Sequence, residues 1–189
     1  SRDYLSHVLL EIGKKGDEYG RSEAGRGVKL QIEFVSANPT GPLTIAHGRQ
    51  AALGDSLANI MGFLGYDVTR EYYLNDEGNQ MNILGRSIRA RYLNLCGVGE
   101  PFPEDGYKGS YVTDIARDFE KKHGKEHLNT QAIDLFREFG LRWILDDIKK
   151  DLADFGVSFD VWYSQKSLRE SGKVEEAVAL LKEKGHIFD

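Results

Sequence analysis

Cysteine is nearly absent. Cys96 is the only one in 189 residues, which excludes an internal disulfide framework and a multi-cysteine zinc site and fits a reducing compartment. The scarce prolines fall in two pairs, Pro39 with Pro42 and Pro101 with Pro103, and mark two loops. No stretch approaches the roughly 18 consecutive apolar residues of a membrane span, and no basic-then-apolar leader opens the sequence. The expectation is a soluble, cytoplasmic protein with no membrane partner. Positive charge is not in excess either: 25 Lys and Arg against 30 Asp and Glu give −5, so the overall field gives no help to a polyanionic partner. Any contact with nucleic acid needs a local patch or further parts. Neither Gly-x-Gly-x-x-Gly nor Gly-Lys-Ser/Thr occurs, which removes the dinucleotide and P-loop readings, and there is no internal repeat. What is present is a globular composition, 40% apolar and 29% charged, long enough to bury a core without disulfides or metal. The sequence opens without Met and stops at His186-Ile187-Phe188-Asp189 straight after a helical pattern, which reads as a piece of a longer polypeptide.

Residues 1–27 carry a short apolar run (Val8, Leu9, Leu10, Ile12) and then glycines among charges, the end of a helix followed by a linker. From Val28 the period becomes two. Val28, Leu30, Ile32 and Phe34 alternate with Lys29, Gln31 and Glu33, as in a strand. Ser36-Ala37-Asn38-Pro39-Thr40-Gly41-Pro42 is turn chemistry. A helix starts near Ile45; Leu53, Leu57, Ile60, Met61 and Leu64 fall on one face of it and Gly65 is placed to end it. Asp67 to Tyr73 is a second strand. Strand, loop, helix and strand make a βαβ unit, hence a parallel sheet that binds ligands at the carboxyl ends of its strands. Further helices are expected over about Asn79–Leu95 (Met81, Leu84, Ile88, Tyr92, Leu95), Tyr111–Lys122 and Thr130–Phe155 (Leu141, Ile144, Leu145, Ile148, Leu152, Phe155). Gly97–Gly109 is a surface excursion, Phe159–Ser164 a third strand, and Val174, Ala177, Val178 and Leu181 share one side of a last helix.

The segment after the first strand is the informative one. Glu33-Phe34-Val35-Ser36-Ala37-Asn38-Pro39-Thr40-Gly41-Pro42-Leu43-Thr44-Ile45-Ala46-His47-Gly48-Arg49 puts polar side chains at a strand's carboxyl end, then a rigid loop, then a helix start. The unpaired N–H groups and partial positive charge of a helix start suit a phosphate. His47 in the first turn can donate to a phosphate oxygen, and Gly48 leaves room for a close approach.

Pro42-Leu43-Thr44-Ile45-Ala46-His47-Gly48 resembles the HIGH nucleotide motif of class I aminoacyl-tRNA synthetases and related nucleotidylyltransferases. Glu33 to Arg49 as a whole resembles, more narrowly, arginyl-tRNA synthetases of the bacterial type. Gly65-Tyr66-Asp67-Val68-Thr69-Arg70-Glu71-Tyr72-Tyr73-Leu74-Asn75-Asp76-Glu77-Gly78-Asn79-Gln80, Pro103-Glu104-Asp105-Gly106-Tyr107 and Phe159-Asp160-Val161-Trp162-Tyr163-Ser164 agree with that family in the same order. The resemblance runs from about Val28 to the end.

It implies an α/β fold: the first half of a Rossmann-like class I synthetase catalytic core, a parallel sheet with flanking helices, plus the start of a connective insertion. The expected division is a helix end and linker over 1–27, the half-core with a helical excursion over 28–166, and a truncated insertion over 167–189. The implied partners are L-arginine, ATP with Mg2+ as co-substrate, and tRNA(Arg), with no tightly bound cofactor and a monomeric enzyme. Glu33, Ser36, Asn38 and His47 match arginine-binding positions. Guanidinium and ammonium groups are donors only, so carboxylate and amide acceptors suit them. Asn38, Pro39, Thr40, Gly41, Pro42, Leu43, Thr44, Ile45, Ala46, His47 and Gly48 match the ATP-binding stretch, with His47 and Thr44 at its catalytic positions. His47 would stabilise charge on the phosphates as carboxylate attacks the α-phosphorus. Two residues depart from the motif: Thr44 stands where the family has histidine and Ala46 where it has glycine. Natural variation and a catalytically degenerate relative explain them equally. No lysine stands in the preceding loop, so the resemblance implies a separate KMSKS-type loop, which these residues do not contain.

Other features take blander readings. Asp76, Asn79 and Gln80 suit site or cap roles equally. His123-Gly124-Lys125-Glu126-His127 has the spacing of some zinc peptidases, but an internal Gly, surrounding charge and the lack of a third ligand argue against a metal. Arg86, Arg89 and Arg91 read as a solvated helix face rather than an RNA contact. Cys96, Trp143 and Trp162 read as packing.

Overall fold

The computed structural model describes residues 2–187; Ser1 and the terminal Phe188 and Asp189 lie outside them. Helix α1 (Arg2–Lys15) and a 3-10 turn (Gly16–Glu18) precede β1 (Lys29–Glu33), α2 (Ile45–Phe63) and β2 (Asp67–Leu74). Then come α3 (Asn79–Leu95), α4 (Ser110–His123), α5 (Ile133–Asp154), β3 (Val161–Ser164), α6 (Gln165–Glu170) and α7 (Lys173–Glu183). The strands form one parallel sheet in the order β1-β2-β3. Lys29 lies opposite Asp67 and Glu33 opposite Glu71; Glu71 pairs in turn with Val161 and Leu74 with Ser164. Parallel neighbours need crossovers: α2 makes the first, and α3, α4 and α5 the second. All strands therefore end on one side, where Glu33, Asn75 and Ser164 emerge.

The elements follow the hydrophobic periods closely; among the described residues, sequence reading missed the α-helix α6 and the short 3-10 turn. Helix α6 has six residues, too few for a helical period to register. Ser164 starts it, its Oγ accepting from the Ser167 N–H at 3.0 Å.

Helix α2 departs from expectation in the face it buries. Leu53, Leu57 and Ile60 remain 72%, 41% and 58% exposed, while Ala51, Gly54 and Ala58 are buried. The Phe34 ring explains this, because a Cβ on Gly54 would fall 2.1 Å from it. The helix lies so close to the sheet that only small residues fit between, and the large apolar stripe faces outward. Helices α3, α4 and α5 form the main core through Met81, Leu84, Ile88, Tyr92, Ile115, Phe119, Phe136, Ile144, Ile148 and Leu152. Leu95 and Phe155, expected on the buried faces, are exposed. Both sit at the last turn or cap of their helices, beyond the reach of the neighbouring helix. Among the described residues no helix is long and apolar enough to cross a membrane.

Of the three arginines of α3, Arg89 is buried and Arg86 and Arg91 are part-exposed, and each has a partner within the chain. Arg86 pairs with Asp105 at 2.8 Å, Arg89 with Glu100 at 2.6 Å and the Thr130 carbonyl at 3.1 Å, and Arg91 lies 4.4 Å over the Phe102 ring. Together they fasten the 97–109 excursion to α3. Arg89 is buried, so its removal strands Glu100 and a carbonyl in a partly dry site. Arg89→Ala is expected to lower the unfolding free energy by about 2–3 kcal/mol, read as a lower urea midpoint at unchanged m.

Candidate active site at the carboxyl ends of the strands

The chain leaves β1 through a strained turn. Val35 and Ser36 have φ of 65° and 38°, a left-handed region that non-glycine residues rarely occupy, least of all a β-branched one. Such strain persists only where the surroundings hold it, and the partners are visible. Ser36 Oγ donates to Glu33 Oε1 at 2.8 Å and accepts from the Tyr73 N–H at 3.0 Å. The single hydroxyl hydrogen of Ser36 is thereby spent on Glu33, and its contribution is to fix that carboxylate.

The loop that follows is tied from two elements. Tyr72 Oη, from β2, donates to the Ala37 carbonyl at 3.0 Å; Tyr111 Oη, from α4, donates to the Thr40 carbonyl at 2.7 Å. Gly41 lies against that same phenol, where a Cβ would come within 3.1 Å. Asn38 Oδ1 accepts from Asn75 Nδ2 at 3.1 Å. Pro39 is buried and Asn38 exposed, so the loop presents its amide from a fixed backbone. Sequence reading missed Tyr72, Tyr111 and Asn75, since nothing local marks a tyrosine as the tether of a loop dozens of residues away.

Tyr72 is fully buried and its phenol pKa is pushed up to about 12, mainly by desolvation. A phenol whose folded pKa is raised adds stability that is complete below the unfolded value near ~10 and is lost as pH climbs toward the folded value. Tyr72→Phe is therefore expected to cost about 1 kcal/mol at pH ~8. The difference should shrink between pH ~10 and ~12, as read by urea midpoints across that range. Tyr92 and Tyr111 are shifted the same way by burial, and keep part of the alkaline slope in the variant.

Helix α2 begins at a reciprocal cap. Thr44 is the extended N-cap residue, and its N–H donates to His47 Nδ1 at 3.0 Å, the place a glutamate takes in a common capping box. With Nδ1 accepting, the tautomer has its proton on Nε2, the ring edge turned from the cap. Thr44 Oγ1 lies 3.3 Å from the same Nδ1. Threonine is a favoured N-cap, which gives Thr44 a structural occupation at the position where the family has histidine. Ile45 and Ala46 are exposed in the first turn, where backbone N–H groups have no helical acceptor.

Carboxylates cluster at the strand ends near the Tyr73 phenol. The Tyr73 phenol is shifted upward first by desolvation, then by the charges of Asp76 and Glu33. Asp76 itself is a clamp, accepting from Ser164 Oγ at 2.6 Å and the Lys166 N–H at 2.9 Å. Arg169 grips Glu77 with two nitrogens and holds its carboxyl below the usual range. Asn79 and Gln80 are exposed in the first turn of α3. An open cleft of about 420 Å³ runs between β1 and the outward stripe of α2, lined by Glu33, Phe34, Ser36, Gln50, Leu53 and Leu57 among others. The geometry thus joins Glu33 and Ser36 to β2, ties Asn38 to Asn75 just beyond β2, and pairs Thr44 with His47 at the head of α2. The two histidines of the peptidase-like spacing instead pack on Phe119, with ring centroids 4.5 and 5.7 Å away. No cluster of metal-ligating side chains occurs among the described residues. Trp162 stacks on Tyr72 at 4.4 Å, and Trp143 Nε1 donates to Asp118.

A parallel α/β core with a polar loop after its first strand and a histidine in the first turn of the next helix is the arrangement of a class I synthetase core. Residues 8–183 match the family described as class I (R) tRNA synthetases, catalytic domain. The chain belongs to that family. Arginine–tRNA ligase from Anoxybacillus flavithermus is 48% identical across 98% of this chain, and that from Bacillus subtilis 43% identical across all of it. This chain spans about 34% of the length of each. A crystal structure from Campylobacter jejuni assigned to arginyl-tRNA synthetase superposes with a TM-score of 0.86 at 32% identity, covering 100% of this chain and 42% of that one. The arginyl-tRNA synthetase of Thermus thermophilus shares the fold at a TM-score of 0.54 and 22% identity, over 86% of this chain and 28% of that one.

Proposed function

We propose that this chain is the first half of the catalytic core, with the start of the connective insertion, of a longer arginyl-tRNA synthetase, which activates L-arginine with MgATP and esterifies the 3′ end of tRNA(Arg). The observation that carries the reading is Glu33, a carboxylate fixed by Ser36 at the carboxyl end of β1, in a chain similar along its length to arginine–tRNA ligases. Glu33 takes a cationic group of arginine, in a field made negative also by Asp76. The head of α2 and His47 Nε2–H receive phosphate oxygens of MgATP, where charge grows as an arginine carboxylate oxygen bonds to the α-phosphorus and pyrophosphate leaves. A ribose hydroxyl of the tRNA end then attacks the activated carbonyl, and AMP leaves. The residues involved hold and polarise the reactants, and no covalent enzyme intermediate is required.

Within the longer protein, residues 28–166 are assigned to the first half of the catalytic core and 167–189 to the start of a connective insertion. This fits α7, which has no buried residue. The free edge of β1 and the outward stripe of α2 fit cover by further sheet from the same polypeptide. A monomeric, cytoplasmic enzyme accompanies this reading. The test is ATP–pyrophosphate exchange by the longer protein with tRNA and each amino acid in turn. Arginine alone should support exchange; a response to a different amino acid overturns the assignment. The 189-residue chain alone should be silent.

A further inference from the structure

Asn38 has one side-chain partner that fixes its amide. Asn75 Nδ2 donates to Asn38 Oδ1 at 3.1 Å, and an asparagine so engaged turns its two N–H donors away from that partner. Asn75 is well placed to impose this. It directly follows β2, between Tyr73, whose N–H is bound to Ser36, and Asp76, which is clamped to Ser164 and Lys166. Asn75 is half-buried while Asn38 is exposed, so the direction of the Asn38 amide is set from the protein side.

We infer that Asn75 is a positioning residue that points the NH2 of Asn38 at the ligand, so that position 38 recognises an acceptor, the carboxylate of the amino acid, while Glu33 recognises a cation. This rests on the proposed function and sharpens it: the two polar residues of the loop divide the substrate by charge, where the sequence alone suggested two acceptors. The division is chemically sound, because a zwitterionic substrate offers one anionic group that a second carboxylate would repel.

The test compares arginine with agmatine, its decarboxylated form, in the longer protein. Asn75→Asp has no hydrogen to donate when ionised, so it draws the Asn38 NH2 toward itself and turns Oδ1 to the ligand. The arginine KM is then expected to rise about 10-fold, while inhibition by agmatine and the KM for ATP move less than about 2-fold. Asn75→Ala frees the amide to rotate and is expected to raise the arginine KM about 3-fold, again sparing agmatine. Retained agmatine inhibition also reports a folded site. Equal weakening of arginine and agmatine, or no change in either, overturns the inference while leaving arginine activation by the wild type intact. A wild-type protein without arginine-dependent exchange rejects the proposed function itself, and this inference with it.

Discussion

Glu33→Gln in the longer protein is expected to lower kcat/KM for arginine by about 100-fold or more. The substitution keeps the size of the side chain and leaves an acceptor for the Ser36 hydroxyl, so the strained turn at Val35 and Ser36 retains that contact. It removes the negative charge. A charge-assisted hydrogen bond to a guanidinium or ammonium is worth roughly twice a neutral one, and a cation left facing a neutral amide is poorly compensated for its lost water. The loss should appear in the arginine KM, with the KM for ATP held within a few-fold, because Thr44 and His47, proposed to face the phosphates, make no hydrogen bond with Glu33. Steady-state exchange kinetics with each substrate varied in turn provide the measurement. A variant with an unchanged arginine KM would remove Glu33 from the site.

The second large effect concerns His47, which does two things at once. Its Nδ1 caps α2 by accepting from the Thr44 N–H, and on the proposed reading its Nε2–H donates to the phosphates. The two roles separate by substitution. In His47→Gln the side-chain oxygen can take over the cap, as glutamine does at this position of a capping box, so the thermal midpoint should hardly move. The variant's amide NH2 sits on a flexible chain beside that oxygen, whereas the imidazole ring holds Nε2–H at a fixed distance across from the cap. Its kcat should fall about 100-fold, the scale seen when one donor to developing charge is removed. His47→Ala should lose activity to the same degree and about 1 kcal/mol of stability as well. Equal activity in His47→Gln and wild type would leave His47 as a cap alone.

Much of the fold was legible because its periods are long and its punctuation strong. The alternation through Leu30 and Ile32, the glycine at position 65 and the three- and four-residue spacing in α3 and α5 place those elements within a few residues. The loop that carries the candidate site was legible for a different reason. Its residue types are costly in any other role: Asn38, Pro39, Gly41 and Pro42 specify a turn, and a histidine in the first turn of a helix faces a ready anion site. Side-chain partners were not legible. Arg89 looks like a solvent residue from its neighbours in sequence, and only the return of the chain at Glu100 and Thr130 makes it a buried anchor. The α2 stripe misled because helical period tells which residues share a face, and says nothing about which face meets the sheet.

The sequence by itself determined a βαβ start, a polar loop at the end of its first strand and a resemblance that survives comparison along the chain. These are properties of local pattern, where each residue's preference is set by near neighbours. The tertiary structure alone decided how the loop is held. Tyr72 and Tyr111 reach its carbonyls from β2 and α4, Tyr73 and Ser36 sustain backbone angles that the loop would not keep alone, and Asn75 sets the direction of Asn38. It also decided that Gly54, against the Phe34 ring, brings α2 too close to the sheet for its leucines to be buried there. Contacts of this kind join residues far apart in the chain, and their energies exist only once the sheet has brought both partners within hydrogen-bond or van der Waals reach.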